Sequence, residues 1–187
     1  MQELTLPERL KQQTAAIHKS VEDRLDLLRD GFSLTDYSQL LARFYGFYAP
    51  WERAALPLLM DWNAELFVGR EKVPALAADL HFLGIDASSL PLCEQLPDVS
   101  DLPRALGSAY VLEGSTLGGQ FLSNHFRKTL QIPAEALHFY TVYGRETGYR
   151  WKSFQKALSE AESLGDRETF VVAARSTFEA LAAWLRP

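Results

Sequence analysis

The stretch that organises this chain reads Tyr110-Val111-Leu112-Glu113-Gly114-Ser115-Thr116-Leu117-Gly118-Gly119-Gln120-Phe121. Apolar residues recur on both sides of it at the spacing of a helix that buries one face. Three glycines, Gly114, Gly118 and Gly119, interrupt the pattern, and each costs a helix about 1 kcal/mol relative to alanine. Their sum of roughly 3 kcal/mol is large beside a typical net stability of about 5–15 kcal/mol. We therefore expect another helix, a phosphate or a flat ligand to approach this backbone more closely than a Cβ atom would allow.

The glycine stretch departs from two familiar motifs and leaves a third interpretation open. A phosphate-binding loop has a lysine after its last glycine, where this chain has Gln120. A nucleophile elbow needs Gly-x-Ser-x-Gly, whereas Gly114 and Ser115 are adjacent. The pair Gly114 and Gly118 would also suit the close packing of two helices, with no ligand involved.

Composition limits the classes of protein that this chain can belong to. Its 187 residues, of which 47% are hydrophobic, predict a single domain over residues 1–187 with a sizeable core. A net charge of −5 argues against a nucleic-acid partner and against an anionic membrane surface. Cys93 is the only cysteine, which excludes an intrachain disulfide and favours a reducing, cytoplasmic location. We see no signal peptide and no apolar run of about 18 residues, so we expect no membrane anchor.

Start and stop signals divide the chain into helices, and no strand alternation or internal repeat is visible. Thr5 and Glu8 form a capping-box pattern at the first start, and Ser33 and Asp36 form one at the second. The pattern predicts an all-α, single-domain helical bundle. Its expected helices run from Thr5 to Gly31, from Ser33 to Met60 with a kink or a break at Pro50, from Val73 to about Leu83, from Ser100–Pro103 to before Pro133, over 145–163 and over 167–185, with a connecting loop over 85–100.

His18 is the histidine of interest because it lies in the apolar face predicted for the first helix. A histidine in such a place is satisfied by a core hydrogen bond more often than it binds a metal. Glu22 follows at i+4 and should face the same side. Its carboxylate can accept the Nδ1 proton and leave Nε2 free for a metal, although an ordinary surface pair with Lys19 is the alternative. A di-iron site is less well supported, because only one Glu-x-x-His motif, Glu135 to His138, is present.

Taken together, His18 and the glycines suggest a flat metallomacrocycle between two helices. One helix offers a neutral imidazole, and the other offers bare backbone. A haem site needs an axial ligand, a hydrogen bond to that ligand and controlled access on the opposite face, and the chain has a residue for each.

Three segments resemble the haem oxygenase family. The segment Leu10-Lys11-Gln12-Gln13-Thr14-Ala15-Ala16-Ile17-His18-Lys19-Ser20-Val21-Glu22 is similar to the proximal helix of that family. The segment from Tyr110 to Gln120 is similar to the distal helix in its bacterial form, and Ala174-Arg175-Ser176-Thr177-Phe178 is similar to the last helix. The resemblance covers the whole chain and implies an all-helical fold with haem held between the first two segments.

The resemblance also implies a reaction and its residues. Haem would be both cofactor and substrate, cleaved with O₂ to biliverdin, CO and Fe²⁺ by electrons from a ferredoxin or a flavin/NADPH reductase. The bilin product could serve a photoreceptor. By this resemblance, His18 would be the proximal iron ligand and Glu22 would support its outer nitrogen. Gly114 and Gly118 would form a distal wall that can bend over the haem, with Ser115 between them. Lys11 and Arg150 would bind the haem propionates, and Phe178 would form part of the pocket wall.

One position departs from the family pattern, and alternatives remain for several residues. Many members carry an aspartate after the first distal glycine, where this chain has Ser115, which raises the question of what orders the distal water. Lys11 and Arg150 would otherwise be solvated surface charges, and Phe178 would be plain core. A haem carrier or sensor on the same scaffold, and an unrelated helical module with glycines that only seat another helix, are the competing hypotheses.

Overall fold

The computed structural model describes residues 4–185, and within them the chain forms helices and turns without a β-strand. The prediction of an all-α protein is confirmed. The α-helices are α1 (Leu6–Leu25), α2 (Leu34–Phe67), α3 (Val73–Phe82), α4 (Leu102–Gly114), α5 (Gly119–Thr129), α6 (Thr147–Glu160) and α7 (Arg167–Trp184).

Helix α1 begins where the sequence predicts and ends earlier. The backbone N–H and the hydroxyl of Thr5 both donate to the Glu8 carboxylate, at 2.9 and 2.8 Å. The expected end at Gly31 was wrong, because Asp26 already adopts a left-handed conformation with φ 37° and closes the helix. Leu28, which lies beyond this end, is 49% exposed. An aspartate tolerates this conformation better than most residues, which explains why no glycine is needed.

Helix α2 continues through Pro50, where a kink or a break was expected. The residues around that proline are buried aromatics, including Phe47, Tyr48 and Trp51. Their packing outweighs the cost of about 3 kcal/mol for an interior proline. The non-helical residue is Asn63, with φ −154° and ψ 81°.

The glycine stretch forms a break between two helices instead of one long helix. A 3-10 turn over Ser115–Gly118 joins the end of α4 to the start of α5. The backbone keeps right-handed helical φ and ψ at Gly114, Ser115, Gly118 and Gly119, so the chain passes through the glycines in a tighter helical turn.

Helix α7 connects the first helix of the chain with the helix that precedes the glycine turn. It packs along α1 and along α4, and α6 also contacts α1, α4 and the 3-10 turn. At the crossing with α4, the backbone of Phe170 lies directly against Gly107. Buried hydrogen bonds join Trp51 and Thr177 to the hydroxyl of Ser108, at 2.7 and 2.8 Å, and so tie α2 and α7 to α4. Helices α6 and α7 therefore hold α1 and the glycine stretch in one region.

Candidate functional site

His18 lies at the edge of the apolar face of α1, beside a phenyl ring from α7. The ring centroids of His18 and Phe178 are 5.3 Å apart, and Phe178 is buried. The side chain of His18 is 54% exposed, so the expectation that it lies within the apolar face was wrong. Ile17 and Val21 turn toward the core, and His18 is about 100° further around the helix than Ile17. The imidazole is thus accessible on one side and packed on the other.

Glu22 contacts His18 as predicted, but through the other ring nitrogen. The distance from His18 Nε2 to Glu22 Oε1 is 3.2 Å, whereas the sequence led us to expect a bond to Nδ1. A half-rotation of the ring about its Cβ–Cγ bond exchanges the two nitrogens, so the i+4 spacing cannot decide between them. The alternative of a pair between Glu22 and Lys19 is not observed, since Lys19 binds Asp23 at 2.9 Å.

The three glycines of the stretch have three different surroundings. A Cβ atom at Gly119 would overlap the carbonyl oxygen of Tyr140, so only glycine fits there. A Cβ atom at Gly114 would meet the ring of Trp151 at an ordinary 3.5 Å, and one at Gly118 would meet no atom within 4 Å. Gly114 and Gly118 therefore do not form a helix-packing pair, and the space beside Gly118 is open.

Large apolar side chains lie exposed next to that open space. Leu117 is 49% exposed and Phe121 is 62% exposed. They stand within three residues of Gly118, so the bare backbone belongs to a surface that is apolar. Exposed apolar surface of this kind commonly marks a binding site.

Ser115 lies in the same turn and is linked to a buried phenol of α2. Its hydroxyl donates to the carbonyl oxygen of Leu112 at 2.8 Å, and its oxygen is 3.3 Å from the Tyr48 hydroxyl. Because the serine proton is used, Tyr48 is the donor of that second bond. Burial raises the pKa of Tyr48, so the phenol keeps its proton. The serine oxygen retains a lone pair for water or a ligand.

The two residues predicted to bind the haem propionates differ in their hydrogen bonds and ion pairs. Lys11 is exposed on α1 and forms no ion pair with any residue from 4 to 185. Arg150, on α6, donates through Nη1 to the carbonyl of Gly69 at 3.0 Å and lies 3.3 Å from the Glu146 carboxylate. Its guanidinium also stacks 4.8 Å from the ring centre of Tyr143. Arg150 is thus part of a local network, whereas Lys11 is available.

A buried cluster of charges, which sequence reasoning missed, adjoins the glycine turn. It contains Arg70, Lys72, Glu113 and Tyr143, all of them at most 7% exposed. Glu113 binds the Arg70 guanidinium, the Lys72 ammonium at 2.5 Å and the Tyr143 hydroxyl at 2.8 Å. Burial alone would raise the pKa of Glu113, but the charges of Lys72 and Arg70 outweigh it and hold that pKa below its usual range. The sequence signal that could have revealed the cluster was Glu113, a charged residue that directly follows the apolar run Tyr110 to Leu112.

The segment that carries Tyr140 is fixed from α3. Asp79 is fully buried and accepts hydrogen bonds from the backbone N–H groups of His138 and Phe139, at 2.8 and 2.9 Å. The same carboxylate binds His138 Nδ1 at 2.8 Å, so that histidine is engaged away from Glu135. Within residues 4–185 no group of three or more His, Cys, Asp or Glu side chains is arranged to hold a metal ion. Nothing in the described residues corresponds to the di-iron alternative.

Comparison with known proteins identifies the family. A family model described as haem oxygenase matches residues 4–187. A haem oxygenase of Xanthomonas campestris pv. campestris (strain 8004) is 34% identical over an alignment of 163 residues, and the match covers 81% of this chain and 92% of that protein. The chain belongs to the haem oxygenase family. It is accordingly an enzyme of that family, whose substrate is haem.

Solved haem oxygenase structures share the fold. The NO- and CO-bound haem oxygenase of Neisseria meningitidis superposes with a TM-score of 0.77 at 23% identity, over 98% of this chain and 92% of that one. Haem oxygenase 2 of Chlamydomonas reinhardtii, without haem, gives a TM-score of 0.77 at 18% identity, over 97% and 96%. The enzyme from Leptospira interrogans gives 0.78 at 19% identity, over 97% and 98%.

The residues of this haem oxygenase fit its substrate on two independent observations. An accessible imidazole stands on α1, and the position where a Cβ of Gly118 would lie is free of atoms. Leu117 and Phe121 add an apolar surface of the kind that a porphyrin face requires. No helix in the described part of the chain is both long and apolar enough to cross a membrane.

Proposed function

We propose that the protein cleaves haem oxidatively to biliverdin, CO and Fe²⁺, with O₂ and with electrons from a ferredoxin or a flavin/NADPH reductase. The observation that carries the proposal is the open space at Gly118, in a chain that also presents an accessible histidine beside Phe178. Haem supplies the iron that binds O₂ and the ring carbon that is oxidised.

His18 is the proximal ligand in this proposal, and Glu22 and Phe178 orient it. A half-rotation of the ring would place Nδ1 against the Glu22 carboxylate and leave Nε2 for iron. Phe178 packs against the ring. A neutral imidazole donates less electron density than a cysteine thiolate, so it gives less assistance to O–O cleavage at iron. That difference favours oxidation of the macrocycle.

The distal side is formed by Gly114 and Gly118, with Ser115 as the anchor for water. The Ser115 hydroxyl donates to Leu112 and accepts from Tyr48, so its remaining lone pair accepts a hydrogen bond from a water molecule on the open side. Serine thus takes the place of the aspartate found in many members of the family. Water held there is available to supply protons during the reaction.

Lys11 and Arg150 are proposed to bind the haem propionates. Lys11 has a free ammonium on the same helix as His18, two turns away. Arg150 makes hydrogen bonds through Nη1 and Nε and retains Nη2 for a carboxylate. We place the reaction in the cytoplasm, and the bilin product is also a candidate chromophore for a photoreceptor.

The deciding experiment mixes the purified protein with hemin and then adds ascorbate or a reductase in air. Loss of the Soret band together with appearance of a biliverdin spectrum is the expected result. A stable haem complex without cleavage would indicate a carrier or sensor, and absence of a complex would exclude both functions.

The same assay tests whether His18 is the iron ligand. We expect His18→Ala to abolish turnover with the natural electron donor, because the substitution removes the iron ligand. His81→Ala, at an exposed position of α3, is the matched control and should retain turnover. Unchanged turnover in His18→Ala would remove the proximal-ligand assignment.

A further inference from the structure

The buried charge cluster joins the end of α4 to two other parts of the chain. Glu113 is the residue before Gly114, and its side chain contacts Arg70 and Lys72 from the α2–α3 connection. Tyr143, just before α6, donates to the same carboxylate. Arg70 further donates through Nη2 to the carbonyl oxygen of Arg150 on α6, at 2.9 Å.

All three protons of the Lys72 ammonium, and an N–H on each of the three guanidinium nitrogens of Arg70, are used within the cluster or beside it. The ammonium of Lys72 has three protons, and it donates to the Arg70 carbonyl, to Glu113 and to the Tyr143 hydroxyl at 2.5–2.6 Å. Arg70 donates through Nε to the carbonyl oxygen of Leu66 at 2.6 Å, and through its two terminal nitrogens to Glu113 and Arg150. A cluster with its donors satisfied in this way specifies one arrangement of the elements that contribute to it.

Within residues 4–185, Glu113 is the carboxylate that forms ion pairs with both buried cations, Arg70 and Lys72. Removal of one partner of a buried pair is strongly destabilising, because the remaining charge loses its counter-charge without regaining water. Loss of Glu113 would remove this ion pair from Arg70 and from Lys72 at once. The arrangement therefore depends on this carboxylate more than on any other member.

The cluster fixes one end of the glycine turn, and a second contact fixes the other end. Residues 115–118 lie between Glu113 and Gly119, and Gly119 packs on the backbone of Tyr140. Tyr140 is held in turn by the bonds that Asp79 makes to His138 and Phe139. Only the turn that carries Ser115 and Gly118 lies between these fixed points.

We propose that Glu113 is a positioning residue, which anchors the end of α4 to Arg70, Lys72 and Tyr143 so that Ser115 and the bare backbone of Gly118 are presented to haem in one fixed arrangement. The inference rests on the proposed function, but its structural part concerns the protein without ligand. It assigns no contact with haem to Glu113.

Hydrogen–deuterium exchange on the ligand-free protein tests the structural part. We expect Glu113→Gln to lower Tm by roughly 6–12 °C and to speed exchange of the amides of residues 115–118 by about tenfold or more. Amides of α1 should keep their rates at a temperature well below Tm. Glu160→Gln, which breaks an exposed pair with Lys156, is the matched control and should change neither quantity.

A second variant preserves the test if Glu113→Gln does not fold. Tyr143→Phe keeps the three charges and removes the hydrogen bond to the carboxylate and the one accepted from Lys72, so it should give the same exchange pattern with a smaller amplitude. Unchanged exchange at 115–118 in the variant that folds would overturn the proposal. Equal acceleration in every helix would overturn it as well, since that result describes general destabilisation.

Spectra of the haem-bound protein distinguish an effect on the position of the distal turn from an effect on the binding of histidine to iron. With hemin, reduction and CO, the Glu113→Gln complex should show a shifted or broadened C–O stretching band, while the iron–histidine stretch of the CO-free ferrous form stays unchanged. An unchanged C–O band would contradict the role in presenting the distal wall. If no variant and no wild-type protein binds hemin, the proposed function fails, and the exchange experiment still decides whether Glu113 fixes the turn.

Discussion

The adjacent glycines Gly118 and Gly119 have different surroundings. The Cβ position of Gly118 is open, whereas that of Gly119 is blocked by the Tyr140 carbonyl. The sequence pattern marks both as costly in a helix, but it does not separate a glycine beside open space from one that packs on a neighbouring backbone. Substitutions at the two positions should therefore affect different properties.

We expect Gly118→Leu to leave the stability of the ligand-free protein essentially unchanged and to weaken hemin binding at least about tenfold, equivalent to about 1.4 kcal/mol. The leucine side chain would fill the space proposed for the porphyrin. Thermal unfolding and hemin titration measure the two effects, and normal hemin affinity would contradict the close-approach argument.

Gly119→Ala provides the contrasting case. Its Cβ would overlap Tyr140, so we expect a loss of roughly 1–3 kcal/mol in the unfolding free energy of the ligand-free protein. Chemical denaturation measures this loss. Full stability in Gly119→Ala would mean that the backbone contact is not close.

At the scale of elements, the junction of α2 and α3 contains a carboxyl group whose pKa is raised. Glu52, on α2, accepts hydrogen bonds from the backbone N–H groups of Lys72 at 2.5 Å and Val73 at 3.3 Å, and so caps the start of α3. Burial raises the pKa of Glu52 to about 7, although these bonds and the charge of Lys72 act in the opposite direction. The folded protein thus binds this proton more tightly than the unfolded chain does.

This shift predicts a specific pH dependence. Between the ordinary pKa of 4.5 and about 7, the folded state holds more protons than the unfolded state, so stability falls as pH rises through that range. Glu52→Gln keeps the accepting oxygen and removes the titration. Its unfolding free energy should match that of wild type near pH 4 and exceed it by about 3 kcal/mol near pH 8.

Denaturant titrations at several pH values measure the difference between the two proteins. Glu65→Gln, at an exposed position of the same helix, is the control and should leave the pH dependence of wild type intact. A constant difference between Glu52→Gln and wild type across this range would contradict the assignment.

At the scale of the whole molecule, α7 fixes the position of α1 relative to α4 because it packs on both helices. Its approach to α4 depends on Gly107, where a Cβ would overlap the carbonyl oxygen of Phe170 and lie 3.0 Å from the Cβ of Ala173. Alanine would favour the helix by about 1 kcal/mol in isolation, but here it must push two helices apart.

We expect Gly107→Ala to lower the unfolding free energy by roughly 1–3 kcal/mol, and Tm by about 2–4 °C for each kcal/mol. Gly148→Ala makes the same substitution in α6 with no atom within 4 Å of the new Cβ, so it should be neutral or slightly stabilising. Calorimetry of the two variants distinguishes helix propensity from packing, and equal Tm values would contradict the packing argument.

The sequence alone determined the all-α class, the helix starts at Thr5 and Ser33 and the family, because capping patterns, helical periodicity and the two motifs are local in the chain. The single domain over residues 1–187 stays a prediction. Tertiary structure alone decided that α2 passes through Pro50 and that Nε2 of His18 faces Glu22. It also decided that Gly119 packs on a neighbouring backbone while Gly118 has open space beside it. It alone also brought Arg70, Lys72 and Tyr143 to Glu113. The physical reason is the same for each: the deciding energy comes from neighbours distant in the chain, or from a side-chain rotation that spacing does not record.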